Sequence, residues 1–338
     1  MKKTGVLLAA FGLAIPLVAL ISITIGAADI SIGQTVDILA ANLGFGNHGG
    51  LPANYQTIIL KLRLPRILLA LSSGAALAVA GTVLQGVFHN PMADPYVMGV
   101  SSGAAFAVAV AIFIGFTSQI TIQLFAMAGS FLSILLLLSL AGLASRKGEP
   151  ASLLLAGIAI SVFLSSGVSL LIYLSHAQAQ KIIFWTFGSL SATGWDKLPT
   201  VIAGQIIGII LIVIQWKDLN LLSQGDESAR SLGLVPDRAR IRLLLSASFV
   251  TAMTVSATGI IGFAGLMIPH AMRLATGPNH RSLLPLSALG GAVFLVISDT
   301  LGRIIVPSAE IPVGVITSII GAPYLLYILI IRNKKRDT

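Results

Sequence analysis

The sequence contains no cysteine and few charged residues. Without cysteine, disulfides, thiol catalysis and thiolate metal sites are excluded. Only 10% of the 338 residues are charged, whereas a soluble domain carries about 25%. The net charge is +9, but no basic patch is interleaved with aromatic residues, so a nucleic-acid partner is not predicted. Water is therefore not the main solvent of this chain.

Sequence motifs for catalysis and for energy supply are also missing. No GxxxxGK(S/T) loop, HExxH helix or nucleophile elbow occurs, so no enzyme activity, ATP site, metal site or cofactor is predicted. Ion-coupled carriers typically hold acidic groups within the membrane. Here no acidic pair lies in the middle of an apolar stretch, and Asp299 is the deepest acid. Energy for transport would then come from a soluble partner. A secondary ion-coupled transporter is the main alternative, and a membrane-embedded enzyme is a third class.

Apolar residues make up 56% of the chain and lie in long stretches without any charge. A helix needs about 20 apolar residues to cross a bilayer core about 30 Å thick. The period is not the alternation of an outer-membrane barrel. The pattern predicts an all-α polytopic membrane protein with one transmembrane domain over residues 1–338. About ten transmembrane helices are expected, at 5–28, 65–88, 96–117, 120–144, 151–175, 197–216, 241–261, 263–276, 282–305 and 311–331.

Three segments do not fit a full crossing. The segment 263–276 is too short and is read as a half-span or as the bent end of the helix before it. The segment 182–194 is read as a half-helix, because irregular backbone at membrane depth is tolerated where protein surrounds it. The polar segment 29–56 is placed outside, with one short helix around 34–42.

The distribution of Lys and Arg predicts the orientation. Ten crossings put both termini on one side, and with that side inside, fifteen of the 21 Lys and Arg residues face the cytoplasm. This excess agrees with the positive-inside rule. The sequence therefore predicts a multi-pass protein of the cell membrane with both termini in the cytoplasm. The start of the chain also resembles a secretory signal peptide, although its apolar run is long enough to span.

The segment 217–242 is the largest predicted cytoplasmic loop. It contains a short amphipathic helix that Gly233 would end, because glycine adopts the left-handed conformation found after helix C-termini. Ala229 and Leu232 are predicted to share one face of this helix, with Glu227 towards another. The helix is either a solvated connector or a docking element for a partner.

Several stretches together resemble a known family over nearly the whole chain. They are RLPR at 63–66, GAALAVAGTVLQGVFHNPMADPYVMGVSSGA at 74–104, WTFGSL at 185–190, the loop at 224–233, GIIGFAGLMIPHAMR at 259–273, SDTLGR at 298–303 and EIPVGVITSIIGAP at 310–323. In this order and spacing, the chain resembles the FecCD family of permeases for iron-siderophore, haem and cobalamin uptake.

The resemblance implies a type II ABC importer permease fold and a set of partners. These are a second permease subunit, either an identical copy or a similar chain, two copies of a cytoplasmic ABC ATPase and an extracytoplasmic substrate-binding protein. Membrane lipid surrounds the bundle, and the cargo would be a metal chelate that passes by alternating access. A wide pore for bulky chelates needs few specific contacts, so the identity of the chelate is not predicted.

The resemblance also assigns site residues. The ATPase would be coupled through Glu227, Ala229, Leu232 and Gly233. The inner gate of the pore would be formed by Gln85, Asn90, Pro91 and Met92, although Pro91 could simply end a helix. The binding protein would dock on Arg63, Arg66 and Arg303, which break the charge rule and could instead contact lipid phosphate. His270 is part of a matching motif, and a structural role is favoured over metal binding.

Overall fold

The computed structural model describes residues 2–26, 28–45, 52–144, 150–175, 177–191, 194–306 and 309–334. These residues form fifteen α-helices and no strand: α1 Lys2–Thr24, α2 Ile32–Asn42, α3 Ala53–Thr57, α4 Leu64–Val87, α5 Val100–Phe113, α6 Gln119–Ala144, α7 Pro150–Leu174, α8 Ala179–Thr186, α9 Leu198–Val213, α10 Trp216–Leu222, α11 Asp226–Ser231, α12 Pro236–Thr258, α13 Ala264–Thr276, α14 His280–Ile304 and α15 Val313–Lys334. A π-helical turn, Ile58–Arg63, leads into α4, and a 3₁₀ turn, Pro95–Met98, precedes α5. The predicted all-α fold is confirmed.

Each of the ten predicted spans coincides with a helix, but the helices differ in length. Within the described ranges, six helical segments are long and apolar enough to cross a membrane. The helices α9 and α10, which meet at a bend of 53°, would make a seventh if they form one span. The helices α5 and α13 have 14 and 13 residues. At 1.5 Å per residue both are shorter than a bilayer core about 30 Å thick. The expectation that 263–276 is too short to cross alone agrees with this length.

Helix α4 lies at the centre of the bundle and packs against α9, α12, α13 and α14. Its closest contacts are made by glycines. A Cβ atom at Gly81 would lie 1.6 Å from the carbonyl oxygen of Gly265, and one at Gly74 would lie 2.1 Å from that of Gly291. Backbones approach this closely only where side chains are absent, which is typical of helix packing in membranes.

The backbone is irregular between α12 and α13. Gly259 and Phe263 have φ of 69° and 66°, and the helix resumes only at Ala264. The hydroxyl of Tyr96 accepts a hydrogen bond from the amide of Ile261 at 2.6 Å and donates one to the carbonyl oxygen of the same residue. The Tyr96 side chain therefore gives hydrogen-bond partners to both backbone polar groups of Ile261, which lies outside any helix. Within a membrane such groups must be paired inside the protein.

Two smaller predictions concern the short segments. The helix expected around 34–42 is α2, and its first turn is held by a capping box between Ser31 and Gln34. The half-helix expected at 182–194 is the eight-residue α8, which ends earlier, at Thr186. Gly188 then turns the chain with φ of 69°.

Candidate functional site

The three arginines expected to form an exposed docking patch lie at one end of the bundle, where α1 ends and α4 begins. This end is called the arginine end below. Docking on these side chains would need them at the surface, but they are largely buried: Arg63 is 7% exposed as a residue, and the side chains of Arg66 and Arg303 are 12% and 5% exposed. Their surroundings explain why this burial is tolerated.

Arg63 holds the end of α1. Its guanidinium donates to the carbonyl oxygens of Ile23 and Thr24, each at 2.7 Å, and to that of Ala28 at 2.9 Å. The last carbonyls of a helix have no partner within the helix and carry partial negative charge. A cation placed there is stabilised, so Arg63 caps α1.

Arg303 acts on the same segment from α14. It donates to the carbonyl oxygen of Ile25 at 2.7 Å, and to the backbone and side-chain oxygens of Ser22 at 3.0 and 2.7 Å. Two guanidinium groups, one from each side, therefore fix the C-terminal turn of α1 against α4 and α14.

Arg66 is held by two carboxylates. It contacts both carboxylate oxygens of Asp299 at 2.9–3.1 Å, and Glu310 at 2.8 Å. Asp299 also forms an ion pair with Arg303 at 3.2 Å, and its side chain is 2% exposed. This pairing was not predicted from the sequence, although Asp299 and Arg303 belong to one SDTLGR motif. The deepest acid of the chain thus compensates two arginines.

The opposite end of the bundle carries the candidate coupling helix α11, and it is called the loop end. The amide of Leu234 donates to the carbonyl oxygen of Ala229 at 3.0 Å, and the amide of Gly233 to that of Arg230 at 3.0 Å. With φ of 85° at Gly233, these two bonds make a Schellman motif. The helix therefore ends as predicted, in a conformation that favours glycine.

The prediction that Ala229 and Leu232 share one face of α11 is wrong, as the burial of the two side chains shows. Ala229 is fully buried, whereas Leu232 lies past the end of the helix and is 61% exposed. The two side chains do not share a face, because Leu232 begins the turn that leaves α11. Glu227 is exposed. Glu227 and Leu232 are thus available to a partner, while Ala229 packs inwards.

A buried arginine, which the sequence analysis did not single out, attaches α11 to α12. Arg240 is 1% exposed, and its guanidinium donates to Asp226 at 2.8 and 3.1 Å and to Asp237 at 3.1 Å. Asp226 is the first residue of α11, and Asp237 lies in the first turn of α12. The candidate coupling helix α11 is therefore fixed to a long helix of the bundle.

The predicted gate lies near the same end. Two of its four residues, Gln85 and Pro91, line a cavity of about 970 Å³, together with His89. Gln85 is buried and donates to the carbonyl oxygen of Leu266 at 2.9 Å. It therefore ties α4 to α13 as well as facing the cavity.

Asn90 and Met92 are not among the residues that line this cavity. The side-chain oxygen of Asn90 accepts from the amide of Met92 at 2.9 Å, which closes the turn after α4. Before it, His89 has φ of 50°, and its Nε2 lies 2.5 Å from the carbonyl oxygen of Leu222 in α10. The turn that carries Asn90 and Met92 is thereby joined to the segment that leads into α11.

Comparison with known proteins gives a consistent result. The model of the FecCD transport family matches residues 14–331. The chain is 40% identical over 311 residues to a hemin transport system permease protein of Yersinia pestis, a match that covers 87% of this chain and 93% of that one. It is 41% identical over 282 residues to a cobalamin import system permease protein of Halobacterium salinarum, covering 83% and 75%.

The fold has a solved counterpart as well. A structure described as an inward-facing conformation of a metal-chelate type ABC transporter superposes with a TM-score of 0.83 and is 34% identical, covering 96% of this chain and 98% of that one. The sequence match and the fold match each extend over almost all of the bundle described above. The chain therefore belongs to the FecCD transport family.

Proposed function

We propose that this chain is the permease subunit of an ABC importer that moves metal chelates of the iron-siderophore, haem or cobalamin type across the cell membrane. It would act beside a second permease subunit, with two cytoplasmic ATPases at the loop end and a binding protein at the arginine end. Both termini would lie in the cytoplasm. The family match, with relatives that import hemin and cobalamin, carries the proposal.

The loop end supports the position of the ATPase. A helix can transmit movement from a partner only if it is exposed on one side and firmly attached on the other. Glu227 and Leu232 are exposed near α11, while Arg240 holds Asp226 from the bundle side. Asp299 offers no free carboxylate to a coupling ion, because Arg66 and Arg303 compensate its charge.

The energy source is tested by measuring ATP hydrolysis. The purified chain alone should hydrolyse no ATP, and activity should appear only when its partner ATPase is bound. ATP turnover by the isolated chain, free of ATPase, would contradict the proposal.

Docking of the binding protein at the arginine end is the second part of the proposal. Arg66 remains partly exposed beside Glu310, whose side chain is 52% exposed. Arg63 and Arg303 are less exposed than Arg66 and bond the C-terminal turn of α1. The three arginines outnumber Asp299 and Glu310, the carboxylates paired with them, by one, so this end keeps a net positive charge that would attract an acidic partner, and like charges across an interface suppress association.

Charge reversal tests this part. The double variant Arg63→Glu, Arg66→Glu should bind the partner far more weakly, Arg303→Glu should add to the loss, and wild-type binding should weaken as salt rises. Lys61→Glu, at an exposed site two positions from Arg63, is the matched control and should bind more tightly than the double variant. Melting curves must accompany the affinities, because Arg63 also caps α1. Unchanged affinity of a folded double variant at low salt would disprove the docking role.

A further inference from the structure

The cavity at the loop end has a chemical character that the gate does not explain. Besides Gln85, His89 and Pro91, several polar side chains and one strongly basic side chain, Arg273, line it. None of its lining residues in the described part of the chain is acidic. The cavity therefore has positive charge that no residue on its walls neutralises.

Arg273 is the unusual group. It lies in the last turn of α13 and is partly buried. Its Nε and Nη2 atoms are shielded from solvent and have no hydrogen-bond partner among the described residues. The other deeply placed arginines have acceptors: Arg66 and Arg240 reach carboxylates, and Arg63 donates to backbone carbonyl oxygens. Buried charges are normally paired, so the site lacks an anion.

The surrounding side chains suit a phosphate group on a lipid. A guanidinium matches a phosphate oxygen pair in two parallel hydrogen bonds. Asn220 and Ser223 on the same walls already bond within the protein, to Asn279 and His280 and to the Asn220 carbonyl oxygen, so Arg273 is the group that would bind the phosphate. Leu274 and Ile328 form an apolar side of the cavity. Next to it, Leu326 and Ile330 of α15 are 62% and 67% exposed, which gives acyl chains a surface to lie on.

We propose that this cavity binds a phosphate group, with Arg273 as its cationic partner. The phosphate would belong to an anionic phospholipid of the membrane face at the loop end, with its acyl chains along α15. Basic pockets between transmembrane helices at the cytoplasmic side are known to hold such head groups. Free inorganic phosphate shares the same chemistry and is distinguished by the experiment. The site does not depend on the transport function, since binding needs neither the ATPase nor cargo.

The test uses the purified full-length chain in detergent, with lipid retention measured by native mass spectrometry. Wild type should retain phosphatidylglycerol, and Arg273→Gln should retain it about tenfold less, the loss expected for one charge-assisted pair. Arg281→Gln is the matched control: this arginine is exposed, lies over the Trp216 ring at 6.0 Å and does not line the cavity. It should bind as wild type does.

Two further arms complete the test. Gln224→Glu places a negative charge at an exposed position of the cavity wall and should also weaken lipid retention. This variant tests the proposal even if Arg273→Gln does not fold. A phosphate titration followed by thermal shift identifies the source: a response that depends on Arg273 to inorganic phosphate, without lipid retention, assigns the site to free phosphate. If neither probe binds, or if retention is the same in wild type, Arg273→Gln and Gln224→Glu, the proposal is overturned.

Discussion

Asp299 in α14 joins two helices of the bundle. It forms ion pairs with Arg66, in the first turn of α4, and with Arg303, one turn further along α14. All three side chains are at most 12% exposed. Removing one charge from a buried group of this kind leaves its partners desolvated and unpaired, which costs about 3–5 kcal/mol. The stability of the arginine end therefore depends on this carboxylate more than on its exposed neighbour Glu310.

Asp299→Asn should accordingly lower the free energy of unfolding by about 3 kcal/mol, seen as a clear fall in the melting temperature of the full-length chain in detergent. Glu310→Gln is the control, because an ion pair with a half-exposed carboxylate contributes about 0–1 kcal/mol. Equal melting temperatures for the two variants would mean that Asp299 does not hold this end together.

The arginines show where prediction from sequence stops. The charge rule correctly identified Arg63, Arg66 and Arg303 as unusual, because cations are disfavoured on that side. Their partners are distant in sequence: Arg63 reaches back to Ile23, and Arg66 reaches Asp299. The sequence therefore does not show which groups pair with these arginines, although an acid as deep in its apolar stretch as Asp299 needs a cationic partner.

At the scale of helices, the contact between α4 and α13 depends on Gly81. Since a Cβ there would lie 1.6 Å from the carbonyl oxygen of Gly265, Gly81→Ala must push the two helices apart. We expect a loss of about 1–3 kcal/mol from the strained packing, measured by thermal unfolding. Gly12→Ala in α1 is the control, because nothing lies within 4 Å of its new atom. A variant at Gly81 as stable as this control would refute the close approach.

Helix α11 gives a second prediction at this scale. Gly233→Val places a β-branched residue at φ of 85°, which such residues adopt only with strain. Glu227→Arg reverses an exposed charge without touching the backbone. Both variants should insert into the membrane normally but lose ATPase assembly or transport-linked turnover, as measured by co-purification and ATP hydrolysis. Normal transport in both would make α11 a plain connector.

The elements differ in how well the sequence predicts them. Long uncharged stretches predict α6, α7 and nearly all of α4 closely, because a chain in lipid must pair its backbone polar groups internally, as a helix does. The irregular segment before α13 is harder, because its polar backbone groups are satisfied by Tyr96 from far along the chain. For α11, Gly233 predicts the helix end, whereas the face was wrong because burial of Ala229 depends on tertiary packing.

At the scale of the whole molecule, the two ends of the bundle have different chemistry. The arginine end is fixed by buried ion pairs that join α1, α4 and α14. The loop end presents α11 outwards, and Arg240 attaches it to α12. The break after α12 is in turn bonded to Tyr96, which lies four residues after Met92 in the proposed gate. These contacts join α11 to α12, and the segment after α12 to the turn that follows the proposed gate.

ATP-driven uptake is the most direct test of the account. The chain and its partner ATPase, reconstituted together in liposomes with the binding protein, should accumulate ferric siderophore, hemin or cobalamin only when ATP is supplied on the ATPase side. Liposomes that contain the chain alone should take up none of these chelates under an imposed proton or sodium gradient. Uptake driven by such a gradient without ATP would contradict the importer assignment and favour a secondary transporter.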